Sequence, residues 1–143
     1  MKKFNFSLQK VLQLRKFREE ECKIELGQAI SNLNLIESEI KKTAVKRQSA
    51  AQQRFIATDD IGAWDNYILR LDQEAMRLTE KAAQAEIIVE EKRALYLEAS
   101  KELKTLEKLK EKREKEYRKE ALDLQMAEVD DLTASRYDIA VFT

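Results

Sequence analysis

The sequence predicts an all-α protein: two long helices folded as an antiparallel coiled-coil hairpin, with the second helix the longer. Three observations carry this. Seam residues recur at alternating spacings of four and three in both halves of the chain: Leu8, Leu12, Arg15, Glu19, Cys22, Leu26, Ala29, Leu33, Ile36 and Ile40, then Trp64, Ile68, Leu71, Ala75, Leu78, Ala82, Ala85, Val89, Lys92, Tyr96, Ala99, Leu103 and Leu106. That rhythm marks a helix with a narrow seam rather than a broad core-facing side. The 143 residues include no proline and only two glycines, and 38% of them are charged, the composition of long paired helices. The one clear interruption is Thr58-Asp59-Asp60-Ile61-Gly62, a run of capping and turn residues.

The first helix is expected over about residues 7–56. Ser7 can cap its free amides, and the segment is rich in Ala, Leu, Glu, Lys, Arg and Gln. Phe4 and Phe6 precede it, as a staple onto Val11 or Leu12 or as anchors for a partner. Gly27 sits inside the helical pattern, where it costs roughly 1 kcal/mol relative to alanine. A loop over about 57–62 follows, with Asp59 or Asp60 capping the next helix.

The second helix is expected over about 63–130, followed by a flexible tail over 131–143. A short loop between long helices favours an antiparallel pair. A turn near residue 60 pairs positions that sum to about 119–121, which places Leu8 opposite Glu111 to Arg113. Residues beyond about 113 then outrun the first helix while still carrying Tyr117, Leu124 and Val129 on the seam, with Ile139, Val141 and Phe142 further on. Whether Trp64, Ile68 and Leu71 close the tip of the hairpin against Phe55 or Ile56, or anchor a partner, is left open by the spacing.

The 27 basic and 27 acidic side chains balance, which argues against a general nucleic-acid binder. Their distribution is uneven. Residues 1–18 hold Lys2, Lys3, Lys10, Arg15, Lys16 and Arg18 and no acid. Residues 121–143 set Asp123, Glu128, Asp130, Asp131 and Asp138 against Arg136 alone. Arg15 and Glu19 stand on the first seam, and Lys110 and Arg113 continue the second. Charges there weaken packing but can specify a partner, unless the long side chains simply carry their charge out to water.

Catalytic chemistry is poorly supplied. The chain has no histidine, so the commonest general base and metal ligand is missing. Gly27 and Gly62 cannot build a phosphate loop, and the single Cys22 fits a seam position better than a reactive site. The run Glu19-Glu20-Glu21 reads as helix surface. No enzyme activity, cofactor or metal is expected. No segment approaches the ~20 apolar residues needed to span a bilayer, so a cytoplasmic protein without membrane insertion is expected.

The termini carry a pattern of their own. FNFSLQKVLQLR over residues 4–15, LKTLEKLKEKREKEYRKEA over 103–121, then Val129-Asp130-Asp131, together with Trp64, Asn66 and Tyr67 opening the second helix, closely resemble the flagellar export protein FliJ family. The resemblance implies a component of the flagellar type III export apparatus, built as a coiled-coil stalk similar to the central stalk of rotary ATPases. Its implied partners are the hexameric export ATPase FliI, the membrane export-gate protein FlhA, and export chaperones. It also implies a peripheral position at the inner membrane, held there by those partners. On this reading Arg15, Arg18, Lys108, Lys110, Lys112 and Arg113 are the candidates for facing the ATPase, and Tyr67, Trp64, Ile68 and Leu71 the candidates for the export gate. The stalk of a virulence type III injectisome, or a structural dimer in which the second helix pairs between molecules, are the competing readings.

Overall fold

The structure is a computed structural model that describes residues 3–142, with side chains through residue 136. Lys2 and the side chains of Asp138, Ile139, Val141 and Phe142, which entered the sequence expectations, lie outside the described residues. The described chain is two helices, α1 over Gln9–Ile56 (48 residues) and α2 over Ile61–Phe142 (82 residues), with no strand among the described residues. The chain divides into two compact units, Arg18–Ala99, and Met1–Phe17 together with Ser100–Thr143.

In the unit Arg18–Ala99, α1 and α2 pack antiparallel across the turn. Asp60 opens α2: its carbonyl accepts the Trp64 amide at 3.1 Å, which makes Asp60 rather than Asp59 the N-cap position. Its φ of 55° is the left-handed region, which aspartate tolerates better than most residues. Nearby, Arg54 Nε donates to Asp65 Oδ1 at 2.9 Å and Arg47 Nε to Asp72 Oδ1 at 2.7 Å; both pairs of positions sum to 119, the register expected from the turn. Further along, Lys92 Nζ donates to Glu25 Oε2 at 3.2 Å, within two residues of that register.

The core of this unit is the expected seam. Ile36, Ala82 and Ala85 form a buried cluster with Leu33 and Ile40 packed against it, and Leu71, Leu78, Val89 and Ala99 are buried along α2. The α1 seam continues past Ile40, where the sequence shows no large apolar residue: Thr43 and Ala50 are buried, while Arg47 and Arg54 occupy the alternate positions as ion pairs. Closure of the tip on Phe55 or Ile56, one of the two alternatives left open by the spacing, is not found. Phe55 is 86% exposed and Ile56 69%, because both lie off the series that runs Ala50, Arg54, Ala57.

In the other unit, Leu12 is 1% exposed and Phe6 7%, and Phe4 meets Tyr117 with ring centroids 5.5 Å apart. Arg15 Nη1 donates to Glu102 Oε2 at 2.6 Å. The Leu12 amide bonds to the Leu8 carbonyl at 2.9 Å, so Leu8, not Ser7, takes the N-cap position of α1. The expected stop of the second helix near residue 130 is also corrected. With no proline or glycine after Gly62, α2 continues to Phe142 through the segment expected as a tail. Past Tyr117 the seam residues Leu124 and Val129 are 52% and 59% exposed.

Candidate partner-binding surfaces

The residues expected to face an ATPase do not form one patch. Arg15 is half-buried and tied to Glu102 across the seam, with side-chain exposures of 41% and 39%. Its charge is therefore balanced within the chain. Arg18 is exposed and belongs to the unit Arg18–Ala99, while the other five belong to the other unit. Lys110 is half-buried on the seam. Arg113 is exposed and lines a cleft with Phe4, Phe6, Leu8, Leu109 and Tyr117, where the segment leading into α1 lies against α2.

Lys108 and Lys112 stand elsewhere on α2, on an exposed face where the spacing of four and three continues through Lys115 and Lys119. These four lysines line a shallow trough with Glu111 and Glu116, and Lys115 lies 3.8 Å from Glu111. Side chains four and three apart share one helix face, so four ammonium groups are presented together against two carboxylates. Lys115 and Lys119 were not singled out from the sequence. The spacing of four and three from Lys108 carries that signal, on a face beside the seam.

Near the turn, Trp64 and Tyr67 are both half-buried and meet edge to face, with centroids 6.2 Å apart and planes at 71°. The Arg70 guanidinium sits 5.9 Å from the centre of the Tyr67 ring, a cation–π contact that holds both side chains in place. Leu71 is buried in the seam and Ile68 is half-buried like Trp64 and Tyr67, so Arg70 is the exposed side chain of this surface. Arg70 is the member that sequence reasoning missed.

Among the described residues Arg47, Glu74 and Arg77 shift their proton affinity, all in the unit Arg18–Ala99. The hydrogen bond to Asp72 raises Arg47, and the hydrogen bonds between Glu74 and Arg77 lower the Glu74 carboxyl and raise the Arg77 guanidinium. All three sit in surface pairings whose hydrogen bonds favour the charged form of the shifted group. Among the described residues no three His, Cys, Asp or Glu side chains gather where a metal ion could bind, and Cys22 is half-buried on the seam. Among the described residues no helix is long and apolar enough to cross a membrane.

No curated protein and no solved structure matches this chain. The family model described as "Flagellar FliJ protein" does match, over residues 4–139. That span takes in the aromatic segment before α1, the turn and nearly all of α2, and the chain belongs to the FliJ family of flagellar, export-related coiled-coil proteins.

Proposed function

We propose that this protein is a non-enzymatic stalk of the flagellar type III export apparatus. It inserts into the ring of the hexameric export ATPase FliI and links that ring to the export gate FlhA. In this role it is a cytoplasmic protein held at the inner membrane by its partners, and it hands over export chaperones as they are emptied. The observation that carries the reading is the row Lys108, Lys112, Lys115 and Lys119 on α2. A pair of packed helices is about 20 Å across, narrow enough to enter a ring lumen. A basic row suits an electronegative lumen because long-range attraction steers insertion without demanding tight contact.

The pairing within one chain supports a hairpin stalk over a dimer in which α2 pairs between molecules through the seam. Arg54 with Asp65, Arg47 with Asp72 and Lys92 with Glu25 pair α1 with α2 inside one chain. Leu8 and Arg113 line one cleft, so spin labels at residues 8 and 112 should lie within about 20 Å in a dilute sample. Widely separated labels would sink the hairpin.

The ATPase contact is tested by binding to the purified ring. Lys108→Glu, Lys112→Glu and Lys115→Glu combined should weaken binding at least about tenfold and flatten its salt dependence, with helicity unchanged. Binding that survives this reversal would rule the surface out. For the gate, Tyr67→Ala should reduce binding to the FlhA cytoplasmic domain while sparing the ATPase, since it removes an aromatic anchor and frees Arg70.

A further inference from the structure

α2 carries a second series at the same four-three spacing, on the face turned away from α1. Leu69, Met76, Ala83, Ile87, Ala94 and Leu97 recur with Gln73, Glu80 and Glu90 in the remaining positions, and all nine are exposed. Each stands two residues before a seam residue, about 200° around the helix from it. Leu69 and Leu97 are 56% exposed, Ile87 60% and Met76 73%. Met76, Glu80, Ala83 and Gln73 line a shallow depression there, since Ala83 leaves room beside the longer side chains. All nine lie in the unit Arg18–Ala99.

A four-three apolar series is what a helix needs to pack against another along its length. We propose that the occupant of this face is a second copy of this chain, docked antiparallel through α2. Charge decides the arrangement. Parallel pairing would set Glu80 against Glu80 and Glu90 against Glu90 of the other copy. One antiparallel register sets Glu80 against Glu90 and Glu86 against itself. The neighbouring antiparallel register, one heptad away, opposes no like charges. It places Met76 against the second copy's Ile87, Leu69 against Ala94, Gln73 against Glu90, and Glu80 against Ala83.

In that register the flanking positions also match, with Arg70 facing Glu91 of the other copy. Arg70 is already held in place over the Tyr67 ring, and Glu91 makes no ion pair among the described residues. Every contact occurs twice, because a two-fold axis maps the patch onto itself. Avoiding wrong registers by like-charge repulsion is how paired helices commonly acquire a unique partner. With three of the nine positions polar and two alanines, the dimer is weak and depends on concentration.

The test is the mass of the full chain in solution over a roughly hundredfold range of concentration at low salt, by sedimentation equilibrium. Wild type should rise from 16.7 kDa toward twice that mass. Ile87→Lys should stay monomeric, with its helical circular dichroism retained. Arg70→Glu and Glu91→Arg should each stay monomeric alone, because each sets like charges across the axis twice. An equal mixture of the two should associate at least as strongly as wild type, because every flanking pair is then opposite in sign. A wild-type chain that remains a monomer at all concentrations would leave the stripe to some other partner and overturn the proposal. So would association that persists in both charge variants, or a mixture that stays monomeric.

Discussion

Two stretches of α1 in the unit Arg18–Ala99 face the same partner helix by different means. From Leu26 to Ile40 the seam is apolar, and Ile36 is 7% exposed beside Ala82 and Ala85. From Thr43 to Ala57 no large apolar residue occupies the seam; small side chains alternate with Arg47 and Arg54, which reach to Asp72 and Asp65. The first stretch supplies the energy of pairing. The second is better suited to fixing which residues meet, because exposed ion pairs add little stability but penalise misalignment.

The sharpest way to break this contrast is to remove volume from the apolar stretch. Ile36→Ala should cost about 2–4 kcal/mol of unfolding free energy in urea titration, since it takes buried methyl groups from the cluster with Ala82 and Ala85. Truncating Phe55, which is as large but 86% exposed, should change stability by no more than about 0.5 kcal/mol. Equal losses at the two positions would mean that the apolar stretch is not where pairing energy resides.

Backbone substitutions come next in size. Asp60 holds φ at 55°, so Asp60→Val should cost about 1–2 kcal/mol, whereas Asp60→Asn should be nearly neutral because asparagine also tolerates that conformation. Gly27 lies in mid-helix, and a Cβ built there meets nothing within 4 Å. Gly27→Ala should therefore add roughly 1 kcal/mol, read as a higher thermal midpoint.

These magnitudes follow features of differing visibility in the sequence. From Leu12 to Ile40 and from Trp64 to Leu106, every residue assigned to the seam is buried or half-buried; Leu8, at the start of α1, stands slightly more open, and Arg113, Leu124 and Val129, further along α2, are exposed. A periodic apolar signal this long has one physical solution, so it was legible. The continuation through Thr43, Arg47, Ala50 and Arg54 was not, because alanine, threonine and arginine carry no signature of burial by themselves. The end of α2 was misplaced for a related reason. Acidic and polar residues after Glu128 resemble a tail in composition, but none of them breaks a helix.

The candidate surfaces were only half legible. Spacing found Lys108 and Lys112 on one face, but it could not show that Arg15 is committed to Glu102, since an ion pair between residues 87 positions apart depends on the register of the whole pairing. Nor could it find Arg70, whose place over Tyr67 is a matter of rotamer rather than pattern.

The smallest predicted effect bears most directly on the idea that charged rungs fix register. Near the turn α1 supplies the base and α2 the acid, but at Glu25 and Lys92 the order is reversed. A slip of one heptad would carry Glu25 from Lys92 to Ala85 or Ala99, both buried, and would strand its charge against the apolar seam. Glu25→Lys sets two ammonium groups together and should cost less than about 1 kcal/mol, because these side chains are 42% and 34% exposed. The double exchange Glu25→Lys with Lys92→Glu should restore stability at low salt, and the difference between single and double variants should shrink as salt rises. Lowering the pH gives an independent check. No histidine is present to titrate between pH 6 and 8, so stability should be flat there. The Glu74 carboxyl, held below its usual range by its bond to Arg77, binds a proton less readily folded than unfolded. Its contribution is therefore present at neutral pH and fades as pH falls through its lowered value, so acid should loosen the helices below the ordinary carboxylate range. If the double exchange failed to recover what the single reversal lost, the rungs would not be acting as paired charges and register would have to come from the apolar stretch alone.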